Sequence, residues 1–110
     1  MKIPNAENPV IAEDKLRNYL LNSAHPRGGS KAKLLLAMGY RAENWQRLEA
    51  DIRAHHLNAD IECEADTEYG RRYEIVAALP GSHGQAAVFR SIWQIDAGTD
   101  QPRLITMYPE

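Results

Sequence analysis

The sequence predicts an α+β fold: N-terminal helices packed on one face of a four-stranded antiparallel sheet arranged as a meander. Two observations carry this. Apolar residues recur at helical spacing up to about Leu57 and at alternate positions from Asp60 onward. The four alternating segments are separated only by short turns, which connect antiparallel neighbours directly. The 110 residues, 44% hydrophobic and 25% charged, suit one domain with one core, spanning residues 1–110.

The first segment, Lys2 to Pro9, carries two prolines and two asparagines and reads as an extended lead-in. Ile11 through Leu21 reads as a helix, with Ala12, Leu16, Tyr19 and Leu20 near one face. Asn22 through Gly29 (NSAHPRGG) is a loop, because Pro26 and two glycines oppose a helix. Ser30 is placed as N-cap of a second, largely buried helix, Lys31 to Met38, with Gly39 where a left-handed C-cap is wanted. Ala42 to Leu57 is the third helix, with Trp45, Leu48 and Ile52 on one face. Trp45 and Trp93 are the expected anchors of the core.

Asp60 to Glu68 alternates acids with Ile61, Cys63, Ala65 and Thr67, the pattern of a half-buried strand with one wet face. Arg72 to Leu79 is the second strand, with Tyr73, Ile75, Ala77 and Leu79 on one side. A turn over residues 80–84, which includes His83, leads to the third strand, Ala86 to Ile95. There Phe89, Ser91 and Trp93 share a face and Val88, Arg90, Ile92 and Gln94 the other. After a polar loop, Asp96 to Pro102, comes the last strand, Arg103 to Tyr108. Alternation sets Leu104, Thr106 and Tyr108 on one side of it and Arg103, Ile105 and Met107 on the other. The sheet face away from the helices is left to water or to a partner.

Charge is segregated. The formal net charge is −2, lower than expected for a general nucleic-acid coat protein. Yet Lys15 to Ala42 holds six basic residues and no acid, whereas Asp60 to Glu68 holds five acids and no base. One cysteine, Cys63, allows no intrachain disulfide or cysteine-based zinc site. The start has no charged-then-apolar signal pattern, and no apolar run approaches the ~20 residues of a membrane span. A cytoplasmic protein without a membrane partner is expected.

The candidate chemistry centres on NSAHPRGGSKAK. His25 is the candidate acid or base, since histidine titrates near neutrality. Arg27, Ser30 and Lys33 are the candidate phosphate-binding residues, beside a helix N-terminus that favours anions, with Lys31 supplying charge. The GxxxxGK[ST] spacing is absent. Arg90 is a charge in an apolar strand and is either on the open face or paired. Thr106 and Tyr108 bring hydroxyls to the last strand. His55 and His56 end the third helix, point about 100° apart and so cannot easily grip one metal. Favourable charge at the helix C-terminus accounts for them. No metal site and no cofactor are expected.

The segments MKIPNAEN, KLRNYLLNSAHPRGGSKAKLL, YGRRYEI and W-x-I-D…PRLITMYP resemble an uncharacterised bacterial domain-of-unknown-function family over nearly the whole chain. More remotely, the KL…YLL…HP…G…K pattern followed by a sheet ending in L-x-T-x-YP is similar to the barnase–EndoU–colicin–RelE group of toxin nucleases. That resemblance implies a small metal-independent RNase in which the ribose 2′-hydroxyl attacks the adjacent phosphate. His25 would be acid or base, Lys31 and Arg90 would stabilise charge, and Thr106 and Tyr108 would position phosphate or the 2′-hydroxyl. RNA and a small neutralising protein are the implied partners. The chain departs from a two-histidine pattern, having one histidine in these motifs. A non-catalytic protein-interaction module is the competing reading.

Overall fold

The computed structural model describes residues 1–26, 29–82 and 84–110, with the side chains of residues 29–31 outside the description. Helix α1 (Glu13–Lys15) continues into a wide π turn (Leu16–Leu20). Helix α2 spans Gly29–Ala37. A 3₁₀ turn (Ala42–Asn44) leads into α3 (Trp45–Asp51), which also ends in a π turn (Ile52–His56). Four strands follow: β1 (Cys63–Thr67), β2 (Gly70–Leu79), β3 (Ala87–Asp96) and β4 (Arg103–Pro109). They form one antiparallel sheet in the order β1-β2-β3-β4, the predicted meander.

The two π turns share a burial pattern that explains them. In the first, Leu16, Leu20 and Leu21 are all buried, and the Leu21 N–H donates to the Leu16 carbonyl five residues back (2.9 Å). In the second, Ile52, His56 and Leu57 are buried, and the Leu57 N–H donates to the Ile52 carbonyl (3.1 Å). A regular helix turns about 100° per residue and would swing one of two consecutive side chains off the core. The wider turn keeps both inside.

Helix α2 begins at Gly29, so Ser30 lies in its first turn and not at the predicted N-cap. Its C-terminus matches expectation. Gly39 is left-handed (φ +100°), its N–H reaches Leu36 O (3.0 Å), and the Tyr40 N–H reaches Leu35 O (3.1 Å), a Schellman closure. Tyr40 and Leu35 are both fully buried across it. The Tyr40 hydroxyl donates to Asp51 of α3 (2.7 Å) and accepts from the Gly81 N–H (3.3 Å), tying two helices to the β2–β3 turn. His83 of that turn is outside the described residues.

The core lies between the helices and one sheet face, where Tyr73, Ile75, Leu79, Phe89, Trp93, Leu104 and Met107 meet Leu16, Leu20, Leu35, Leu48 and Ile52. Trp93 is fully buried, as predicted, whereas Trp45 is only half-buried and packs at the core's margin. Two strand readings are corrected. All five residues of β1 are exposed, because the edge strand carries no covered face. In β4, a bulge interrupts the predicted alternation. Trp93 pairs with Leu104 but Ile92 with Thr106, so Ile105 is the extra residue. Leu104 and Met107 therefore both face the core, while Thr106 and Tyr108 face away. The lead-in flanks β4 through a parallel bridge between Val10 and Arg103.

The β1–β2 turn depends on Gly70. Its φ is +148°, and a Cβ there would sit 2.2 Å from the Ile95 carbonyl oxygen. Gly70→Ala is expected to cost about 2 kcal/mol or more, roughly 10 °C in Tm. Thermal unfolding followed by circular dichroism measures this, and an unchanged Tm would refute the assignment.

Candidate functional site

The sheet face away from the helices holds the strand residues proposed for chemistry. The register sets Arg90 between Val76 and Tyr108, and Ile92 between Glu74 and Thr106. Arg90, Thr106 and Tyr108 thus lie on adjacent strands of one face. Arg72, Glu74, Gln94 and exposed Val88 share it. Both sequence alternatives for Arg90 hold together: it is on the open face and it is paired. Its Nη1 donates to Glu74 (2.8 Å), and its Nε and Nη2 form a fork on the Glu110 carboxylate (3.1 and 3.0 Å). Arg72 also reaches Glu74 (3.3 Å).

Hydrogen bonds from Arg90 hold the Glu110 carboxyl below its ordinary range and make the guanidinium still harder to deprotonate. A guanidinium carries five N–H groups, and three are engaged here among the described residues. The result is a positioned, permanent cation, fixed in the plane of its fork and partly neutralised by two acids. Glu74 and Glu110 were invisible as its partners in the sequence, because only strand register brings them together.

His25 lies in the loop between α1 and α2 and is half-buried. Its ring meets Tyr19 edge to face, with centroids 4.8 Å apart and planes at 67°. The Lys15 ammonium lies 5.1 Å from the centre of the Tyr19 ring. Sequence reading missed Tyr19 as the neighbour of His25; the four-residue spacing of Lys15 and Tyr19 signals only their own contact. Lys33 is exposed on α2. Arg27 and the side chains of Ser30 and Lys31 lie outside the described residues. Helix α2 itself packs against β4 and against the π turn of α1. Helix α2 is therefore a neighbour of β4 on its core face, where Leu35 and Met107 lie, whereas Thr106 and Tyr108 face the other side of the sheet.

A second polar cluster lies inside the core. His56, predicted as a charged helix end, is fully buried, and its Nδ1 is 2.7 Å from the Ser91 Oγ. That oxygen also accepts from the Trp93 indole N–H (2.8 Å). Serine beside histidine has the geometry of an activated nucleophile, but both side chains are sealed from solvent, and Ser91 is occupied by Trp93. The cluster is therefore a structural junction between α3 and β3. His56 Nε2 has no hydrogen-bond partner among the described residues, and the Ala77 backbone is the neighbour that favours a proton on the ring. Burial outweighs this and, with a smaller push from His55, lowers the His56 pKa to about 4. The helix-end charge assigned to His56 is thus overturned by desolvation. His55 is exposed, as a helix-end charge would be.

Two surface clefts lie away from these residues. One of about 500 Å³ is lined by Lys2, Ile3, Arg53 and Leu57, and another of about 190 Å³ by Ile61, Cys63 and Glu64. Among the described residues, no three His, Cys, Asp or Glu side chains group as a metal site. No helix among them is long and apolar enough to cross a membrane.

These features define an α+β protein with helices on one sheet face and an arginine-centred polar ladder on the other. The chain belongs to the family described as Domain of unknown function (DUF6883), which it matches over residues 2–110. No curated protein matches it. Its fold is similar to that of a chain in a contact-dependent growth inhibition toxin–immunity protein complex from Klebsiella pneumoniae 342. The TM-score is 0.74 at 18% identity, covering 96% of this chain and 96% of that one. At that identity the likeness establishes a shared fold.

The buried His56 yields a pH prediction. The unfolded chain takes up a proton at the ordinary histidine value of 6.5, the folded protein only near 4. Stability from this residue is complete above pH 6.5 and is lost as pH falls towards 4. The loss is about 3 kcal/mol. Urea unfolding from pH 4 to 7 should show this decline in the wild type and a flatter profile in His56→Gln. Parallel profiles would show that His56 titrates normally.

Proposed function

We propose that this chain is a toxin-type, metal-independent endoribonuclease that cleaves RNA by attack of a ribose 2′-hydroxyl on the adjacent phosphate. The observation that carries the reading is the shared face of Arg90, Thr106 and Tyr108 on adjacent strands, away from the helices. The fold likeness to a chain of a toxin–immunity complex supports it. On this reading the 2′-hydroxyl proton passes to a base as the O2′–P bond forms. The P–O5′ bond then breaks and the departing oxygen receives a proton. His25 serves one of these two transfers.

Lys31 and Arg90 stabilise the charge that builds on the phosphorane oxygens, where fixed cations act most strongly. The clamp on Arg90 helps, because a guanidinium already held in place need not be ordered during the reaction. Thr106 and Tyr108 orient the phosphate or the 2′-hydroxyl, and Arg27, Ser30 and Lys33 hold flanking phosphate. RNA is the substrate, the cytoplasm the place of action, and a small protein the neutralising partner. The competing reading, a non-catalytic interaction module, draws on the exposed edge strand β1, whose Glu64 and Asp66 already take Arg71 as a partner and so suit docking to a basic protein.

Induced expression separates the two. The wild type should arrest growth and fragment RNA, and purified protein should do so in chelator. His25→Ala and Arg90→Ala should each lower cleavage by about 100-fold or more. Equal harmlessness of wild type and variants, in cells lacking any partner, would favour the interaction module.

A further inference from the structure

We infer that Tyr19 is a positioning residue for His25, holding the imidazole in one orientation from the π turn of α1; this rests on the ribonuclease reading. Three observations build the argument. The first is where the π turn sets Tyr19. Leu16, Leu20 and Leu21 all turn inward, and Tyr19 lies on the flank of that apolar set, half-buried and packed against the core. Its ring is an anchored surface and not a freely rotating side chain.

The second observation is that both ends of the contact are tied down. Lys15, one turn earlier, sets its ammonium 5.1 Å from the ring centre, the distance of a cation–π contact. On the far side, Asn22 organises the chain that carries His25. The Asn22 carbonyl accepts from the His25 N–H (3.1 Å), and its side-chain oxygen accepts from the Ala24 N–H (3.0 Å). Its amide donates back to the Asn18 carbonyl on the π turn (3.3 Å). Backbone and ring of His25 are thus referred to the same turn of helix.

The third is the contact's geometry. An edge-to-face pair at 4.8 Å and 67° is a preferred arrangement of two rings, and it restricts rotation of the imidazole. An acid or base must be oriented within roughly 10–20° to exchange a proton productively. Tyr19 is not assigned contact with substrate; its effect runs through His25.

The test measures RNA cleavage and the His25 ring protons together in the full chain. Tyr19→Leu should lower kcat about 10- to 100-fold with KM nearly unchanged. In the same variant the His25 ring protons should lose their ring-current displacement. Tyr19→Phe should preserve both. An active wild type with Tyr19→Leu equally active overturns this inference alone. Loss of activity in Tyr19→Phe also overturns it, since the hydroxyl and not the ring would then matter. A wild type inert on RNA overturns the ribonuclease reading and this inference with it. If Tyr19→Leu fails to fold, cross-relaxation between the two rings in the wild type decides: its absence overturns the inference, and its presence with an active Tyr19→Phe upholds it.

Discussion

Covering one face of a four-stranded meander with three short helices is the constraint on which this structure turns. The covered face presents Tyr73, Ile75, Leu79, Phe89, Trp93, Leu104 and Met107, and leaving them in water would cost far more than any polar contact gains. Each helix is too short to be stable alone, so its form is set by what it must bury. That is why α1 and α3 both widen into π turns. Widening weakens regular helical geometry but puts two consecutive side chains, Leu20 with Leu21 and His56 with Leu57, into the core.

The same demand shapes the polar atoms inside. Trp93 is the largest buried side chain, and its indole N–H must be satisfied. Ser91, two residues away on the same strand face, accepts it, and His56 completes the junction from the helix layer. The arrangement resembles a catalytic pair in distance and differs from one in access. Chemistry requires that substrate reach the group, and here nothing does. The open face has the opposite character. Its ladder Arg72–Glu74–Arg90–Glu110 lies on the uncovered side, held by hydrogen bonds between charges.

Read along the chain, the elements were largely legible. The change from helical to alternating periodicity near residue 60 located the layers, and all four strands overlap the segments that alternation marked. The misses have physical causes. Alternation in β1 looked half-buried because acids and small residues alternate there, yet an edge strand beyond the helix layer has nothing to bury against. The β4 bulge at Ile105 left no mark in a run of strand-forming residues, and it regrouped Leu104 with Met107. His56 read as a helix-end charge because local sequence shows a C-terminal turn but not the sheet that closes over it.

What the sequence determined by itself was the layout: helices then meander, and the Schellman stop at Gly39. Those depend on local periodicity and backbone preference, which neighbouring residues carry. Only tertiary structure decided which side chains meet. Register joined Arg90 to Glu74 and Glu110, the π turn placed Tyr19 against His25, and closure of the sheet over α3 turned His56 from a surface charge into a neutral buried junction. Contacts between distant segments follow from how a whole layer packs, and burial, which sets charge state, belongs to no stretch of sequence alone.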